Sequence, residues 1–354
     1  MRESISRKGF LRSGSNKFNT LYFGGGTPSL INPETIGLIA TSICEDHGLG
    51  PLLELDEFTV EVNPDDASIE YLSGLYDAGV RRLSLGVQSL LDSHLKWMNR
   101  RHDAKTALAA FKNAREAGFE NISIDLIFGF ASLSMVEWKF NLDRAIDLKP
   151  EHISSYQMSI EPGTKLGREY AKGSYSPPED DFSYVQYSML QSMLANAGYI
   201  QYEVSSFALE GKEAMHNSSY WNHTPYLGLG PAAHSFDGVR RYANKPSLTS
   251  YINRYSYEEI SMSALPNYKE SYQTSETLSY NDLLNETLML SLRKLDGLNL
   301  NALFNRFPKM DKALFMKDVN KLMESGSLVM KDGKITIPSD KLFLSDGIIR
   351  ELFR

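Results

Sequence analysis

Six short β-rich runs separated by amphipathic helices constrain this chain more than any other feature. The runs are NTLYFGGG (19–26), EFTVEVNP (57–64), RRLSLGVQ (81–88), NISIDLIFG (121–129), HISSYQMSI (152–160) and YEVSSFA (202–208). They are nearly continuous in Val, Ile, Leu, Phe and Tyr, as strands covered on both faces should be, so they predict a parallel sheet wound with helices. Helices are predicted near 67–78, 104–117 and 180–197, and each ends in the same junction: Ala78-Gly79-Val80, Ala117-Gly118-Phe119 and Ala197-Gly198-Tyr199. A glycine just past a helix closes it in the left-handed conformation, and an apolar residue then leads into the next strand. Three copies of one junction make a weak internal repeat and favour right-handed crossovers. Asn32 before Pro33 and Glu34 reads as an N-cap followed by a first-turn proline.

Composition narrows the function classes. The 354 residues carry a net charge of −7 and no basic block in the body of the chain, which argues against a dedicated nucleic-acid binder. No apolar run approaches the ~20 residues that span a bilayer. The basic N-terminus MRESISRKGFLRSGSNK has no apolar core of the kind a secretory signal needs. The single cysteine, Cys44, falls in the helical stretch PETIGLIATSICEDHG and reads as a core residue. One thiol makes no internal disulfide, no all-thiolate zinc site and no iron–sulfur site, and a cytoplasmic setting is the simplest expectation.

Beyond about residue 240 the pattern changes. Residues 256–284 include the polar stretch SALPNYKESYQTSETLSYND and are expected to be a linker. Residues 285–326 read as helices and 327–338 as a hairpin turning at Asp332-Gly333, so 285–354 resembles a winged-helix-like α+β module. Without a basic recognition face its expected role is structural.

In parallel α/β folds, chemistry collects at the carboxyl ends of strands. Gly24-Gly25-Gly26-Thr27-Pro28, Glu61 and Asn63, Gln88 and Ser89, Asp125 and Ser159 all fall there. Glu61 lies between valines and Asp125 between Ile124 and Leu126, where a carboxylate is costly without a partner. Each alone is as well explained by a buried ion pair or a hydrogen-bonded barrel layer; together, beside three glycines, they suggest a polar ligand cradle. The triplet is neither a Walker motif nor a dinucleotide fingerprint, because no GK[ST] follows and Pro28 intervenes. Arg100 by itself reads as a solvated charge, and His94 and His102 read as surface histidines rather than ligands. A second constellation, HNSSYWNHTPYLGLGPAAHSF (216–236), holds His216, His223 and His234 with Tyr220, Trp221 and Tyr226. Imidazole ligates heme iron and flat aromatics cover porphyrins, although an aromatic loop docked on the sheet explains the same residues.

Taken in order, LYFGGGTPSL, EVNPDD, RRLSLGVQSL, NRRH and NISIDLIFG resemble the radical S-adenosylmethionine family that includes oxygen-independent coproporphyrinogen III oxidase. His216-Asn217-Ser218-Ser219-Tyr220-Trp221 is similar to the HNxxYW motif of its heme-chaperone branch. The resemblance covers roughly residues 15–255 and extends more loosely through the C-terminal module. It implies a partial (β/α)6 barrel over 1–255. It also implies S-adenosylmethionine contacts at Gly25, Gly26, Thr27, Glu61, Gln88, Arg100 and Asp125, with Tyr156, Ser159 and His234 at further cofactor-pocket positions. Arg100 would pair with a carboxylate of the cofactor. Heme would be bound, with His216 as the iron ligand and Tyr220 and Trp221 beside it, and passed to an acceptor protein. Peripheral membrane association stays open.

The departures from the family pattern matter as much. Its first strand and CxxxCxxC, whose three thiolates hold a [4Fe-4S] cluster, have no counterpart here. Residues 1–18 read as the end of the first barrel helix, as though the chain starts roughly 40 residues late, and the LYFGGG edge is expected to be unpaired. The usual Gly-Leu-Pro-x-Gln is Gly129-Phe130-Ala131-Ser132-Leu133. Without an open iron nothing injects an electron into the sulfonium, so radical chemistry is not expected of these residues. The alternatives are the coproporphyrinogen III oxidase reaction, which needs the cluster, and an inactive barrel serving as an interaction module.

Overall fold

The computed structural model describes residues 2–7, 10, 18–256 and 272–354. Five parallel strands lie side by side in sequence order: β1 (Thr20–Phe23), β2 (Glu57–Val62), β3 (Arg82–Gln88), β4 (Ile122–Phe128) and β5 (His152–Gln157). Two short strands, β6 (Ile200–Gln201) and β7 (Ser206–Ala208), complete the sheet in the order β1-β2-β3-β4-β5-β7-β6. The run 202–208 is therefore not a sixth parallel strand. The chain turns back on itself where the Tyr202 amide donates to the Ser206 carbonyl, and β7 pairs antiparallel with both β5 and β6.

Helices α1 (Arg2–Ser6), α2 (Pro33–His47), α3 (Ile69–Asp77), α4 (Asp92–Trp97), α5 (Ala104–Glu116), α6 (Met135–Asp147), α7 (Lys165–Ala171) and α8 (Asp180–Asn196) surround the sheet. Local chemistry sets their ends. Asn32, Ser68, Asp103 and Ser134 each accept a hydrogen bond from a first-turn amide, and Ser134 with Glu137 forms a reciprocal capping box. The repeated junction glycines take φ of 97°, 97° and 88°, as a left-handed stop requires.

The two faces of the strands differ. Phe58, Val60, Val62, Leu83, Leu85, Val87, Ile122, Ile124 and Leu126 are buried in the main core. The alternate positions, Glu57, Thr59, Glu61, Arg82, Ser84, Ser123, Asp125, His152 and Ser154, belong to the opposite face, the inside of a partial barrel. There Ser123 Oγ meets His152 Nδ1 at 2.8 Å, and His152 Nε2 meets the Tyr202 hydroxyl at 2.8 Å. The strands are thus covered on both faces as expected, but only one face is apolar and the other is a hydrogen-bonded polar interior.

His94 and His102, expected at the surface, are 2% and 3% exposed. The segment after β3 folds back beneath the strand end, where His94 Nδ1 meets Ser89 Oγ at 3.2 Å and His102 Nε2 meets the Val87 carbonyl at 3.1 Å. The Gly129–Leu133 loop is packed by Phe130, which is buried and stacks on Trp97 with ring centroids 5.1 Å apart.

After β7 come α9 (Met215–Trp221), the strands β8 (His234–Phe236) and β9 (Arg240–Asn244), and α10 (Leu248–Ser256). Of the segment expected to be a linker, 257–271 lie outside the described residues. Residues 273–277 form a third antiparallel strand, β10 (Gln273–Thr277), on β9. Its sequence QTSET carries no apolar signal because four of its five residues are exposed. The remaining elements are α11 (Tyr280–Leu292), β11 (Leu298–Asn299), α12 (Leu300–Arg306), α13 (Lys312–Glu324), β12 (Val329–Lys331), β13 (Lys334–Thr336) and α14 (Ser345–Arg350). The hairpin turns at Asp332-Gly333, both with positive φ. Of residues 1–18, 2–6 form α1 and 11–17 lie outside the described residues. Buried Glu3 ties α1 to the β8–α10 region by accepting from the Gly230 amide (2.7 Å), Asn244 Nδ2 (2.7 Å) and the Tyr251 hydroxyl (3.0 Å).

Candidate functional site

At the carboxyl ends of β2, β3 and β4 a hollow of about 300 Å³ is lined by Gly26, Thr27, Glu61, Gln88, Arg100 and Asp125, with Asn63, Ser84 and Arg101 beside them. The cradle that the strand-end residues suggested is therefore formed. Gln88 reaches it through a bulge: the β3–β4 register shifts between Leu85 and Gln88, and Gln88 has φ 66°. Gly86 keeps the floor open, since a Cβ there would lie 3.1 Å from Gln88 Nε2 and 3.8 Å from the Arg100 guanidinium.

The electrostatics favour a ligand carrying both signs of charge. Burial first, then the neighbouring Glu61 carboxylate, pushes Asp125 up to about 7, against the opposing effect of Arg82. Ser84 Oγ is 3.4 Å from both Asp125 oxygens. Arg101 is taken up by Asp65 (3.5 Å) and Asp66 (3.2 Å), whereas Arg100 makes no ion pair among the described residues. A cation placed by Glu61 and Asp125 relieves their repulsion, and an anion placed by Arg100 meets a planar five-donor fork.

A larger cavity of about 640 Å³ adjoins the first and lies between β1 and the 216–236 segment. Its walls are mixed: Phe23, Ile39 and Ile43 on one side, Tyr220, Tyr226 and Leu227 on the other, with the imidazoles of His47, His216 and His234. Glu61, Thr27 and Pro28 line both cavities. His216 is held at three places. Its Nδ1 meets Thr20 Oγ1 at 2.8 Å, its Nε2 meets the Tyr220 hydroxyl at 2.9 Å, and its ring stacks on Tyr22 at 5.0 Å and 17°. Burial lowers its pKa and keeps the ring neutral near pH 7. Tyr22 in turn donates to Glu61 Oε1 at 2.7 Å, while the Gly25 amide donates to Glu61 Oε2 at 3.0 Å.

Placement of the other expected residues is uneven. Gly25 lines the larger cavity rather than the cradle, and so does His234. Tyr156 is half exposed and lines neither cavity. Ser159 is exposed and lines neither cavity, because β5 ends at Gln157 and the chain leaves the strand end. Trp221 likewise lines neither, since it ends α9 one position beyond Tyr220 and turns to another face. His223 is engaged elsewhere: Nε2 meets Glu286 Oε2 at 3.2 Å, Nδ1 meets the Arg306 guanidinium at 3.2 Å, and Arg241 holds the other Glu286 oxygen at 2.8 Å. Thr20 and Tyr22 were not among the sequence candidates. The alternation Thr20-Leu21-Tyr22 before the glycines was the available signal.

The residues fit some groups and not others. The cradle's acidic and basic side chains suit an amino-acid zwitterion such as the methionine end of S-adenosylmethionine. An iron–sulfur cluster finds no ligand set: Cys44, the one thiol, is buried in α2, and no group of three or more metal-binding side chains occurs among the described residues. No helix of the described residues is long and apolar enough to cross a membrane.

The chain is similar to known proteins in sequence and in fold. The radical SAM superfamily model matches residues 10–143. The heme chaperone HemW of Bacillus subtilis is 33% identical over 315 residues, covering 89% of this chain and 80% of that protein. HemW of Lactococcus lactis is 32% identical, covering 95% and 85%. The mitochondrial radical S-adenosyl methionine domain-containing protein 1 of Danio rerio is 30% identical, covering 94% and 75%. In fold, coproporphyrinogen III oxidase (HemN) of Escherichia coli superposes with a TM-score of 0.77 at 20% identity, over 99% of this chain and 81% of that one.

Proposed function

The chain belongs to the HemW family of the radical SAM superfamily, and from that premise we propose that it binds heme in the cavity between β1 and the 216–236 segment and passes it to an acceptor protein. One observation carries this reading: the HNSSYW helix presents an imidazole to a cavity of about 640 Å³ whose walls are partly aromatic. That volume lies within the range of cofactor clefts. Thr20 at Nδ1 fixes the ring orientation of His216, the arrangement that suits Nε2 for iron. Because the ring is neutral near pH 7, few protons compete with the metal. Nε2 reaches iron once the Tyr220 hydroxyl lets go of it, so Tyr220 acts as a latch on the ligand.

The cradle is the proposed S-adenosylmethionine site, with Arg100 for the carboxylate and Glu61 and Asp125 for the cationic part. When bound beside a cluster this cofactor supplies radical chemistry. These residues give such a cluster no ligand set, so no radical step is assigned to them. The likeness to coproporphyrinogen III oxidase is one of fold, and the HNSSYW segment with the HemW relatives favours heme carriage over that reaction. A cytoplasmic location is part of the proposal, supported by the single unpaired thiol.

Titration with hemin, read at the Soret band, tests the heme site. The wild type is expected to give a saturable shift, and His216→Ala to weaken it at least about tenfold, the loss of one iron ligand. An unchanged titration removes His216 from the role. No saturable shift in the wild type favours the interaction-module alternative. Calorimetry with S-adenosylmethionine tests the cradle, where Arg100→Ala is expected to cost about 1.5–3 kcal/mol of affinity.

A further inference from the structure

Tyr22 touches both sites at once. Its hydroxyl donates to Glu61, a wall of the cradle, and its ring lies flat against His216, the proposed iron ligand. The contact is built for closeness. A Cβ on Gly24 would fall 2.4 Å from the Tyr22 ring and 2.8 Å from Glu61 Oε1, so only a glycine there lets the phenol fold over and reach the carboxylate. The line therefore runs from the Gly25 amide through Glu61, Tyr22 and His216 to Tyr220.

We propose that Tyr22 couples the two cavities, so that a zwitterion seated in the cradle raises the affinity of the larger cavity for a metalloporphyrin. The inference rests on the heme and S-adenosylmethionine reading above. With the cradle empty, the phenol donates to the Glu61 carboxyl group, and a hydrogen bond to an ionised acceptor is about twice as strong as a neutral one. A cationic group brought to Glu61 takes up part of that charge and loosens the phenol. The imidazole stacked on it then parts more easily from Tyr220 and offers Nε2 to iron, with Thr20 still holding Nδ1. By linkage the porphyrin raises affinity in the cradle by the same factor.

The test is a pair of hemin titrations of the full chain, without and with saturating S-adenosylmethionine, repeated with S-adenosylhomocysteine, which keeps the same zwitterion. Hemin affinity is expected to rise about fivefold with either, the low end of measured couplings. Tyr22→Phe keeps the ring and removes the hydroxyl, and in it the ratio is expected to fall to one. Because the readout is a ratio within one variant, a change in either separate affinity does not imitate the result. Gly24→Ala, which displaces the phenol, is the second variant and is expected to lose the ratio as well. Both ligands binding wild type independently, or a fivefold ratio that survives Tyr22→Phe, overturns the coupling and leaves the heme reading standing. Failure of hemin to bind at all overturns the heme reading itself, and the coupling with it.

Discussion

Asp125→Asn should stabilise this protein at alkaline pH and do much less for it in acid. The native environment holds the carboxyl at about 7 against an ordinary 3.8, through burial and then the charge of Glu61. Between about pH 4 and 7 the native state keeps a proton that the unfolded chain has released, so stability falls as pH rises through that window. The full difference corresponds to about 4 kcal/mol. Asp125 faces a hollow open to solvent, which reduces the expected gain for the asparagine to about 2 kcal/mol at pH 8. At pH 5 most of the carboxyl is protonated in the folded protein, and the gain should shrink below about 1 kcal/mol. An amide still accepts from Ser84, so little else changes. Urea denaturation of both proteins at pH 5 and pH 8 measures the difference directly. An equal effect at the two pH values, or an asparagine variant less stable at pH 8, would refute the reasoning. The same variant should bind S-adenosylmethionine more weakly at pH 8, because the charge that destabilises the empty cradle is the one that meets the ligand's cation.

Two further outcomes follow from named contacts. Gly24→Ala should lower stability by about 1–3 kcal/mol, since its Cβ would sit 2.4 Å from the Tyr22 ring; thermal melting checks this, and a silent substitution would mean Tyr22 moves aside freely. Helix α11 is pinned to the 216–236 segment by Glu286, with His223, Arg241 and Arg306 around it. Burial, then Arg306 and Arg241, pull His223 down to about 4. The unfolded chain therefore takes up the proton first, and this junction should weaken as pH falls from about 6.5 to about 4. Hydrogen exchange of the α11 amides at pH 7 and pH 5, corrected for intrinsic rates, should show the loss, and Glu286→Gln should show it already at pH 7. Equal protection in all three would remove the junction from that role.

Local rules in the chain specify most of the elements and many of the cradle residues. Apolar runs gave β1 to β5 to within three residues of their ends, the three Gly-closed junctions are left-handed, and Gly26, Thr27, Glu61, Gln88 and Asp125 meet where strand ends should bring them, while Arg100 was marked only by the family resemblance. Arg100 apart, each of these depends on neighbours a few positions away, or on the one rule that parallel strands end on the same side. The sidedness of the strands was not settled that way. Ser, Thr and single charges at every second position of EFTVEV and ISIDLIF become a polar interior only once the sheet curves and His152, Tyr202 and Arg82 face it. The sixth run turned antiparallel because its second half pairs with β5 from a tight reversal, which no periodicity records. His94 and His102 look like surface residues until the loop after β3 folds under the strand end. The contact that fixes the proposed iron ligand, Thr20 to His216, spans 196 positions. Side-chain spacing repeats over two or four residues and fixes elements; closure of the barrel brings together groups that no local repeat connects, and that closure placed His216 against Tyr22.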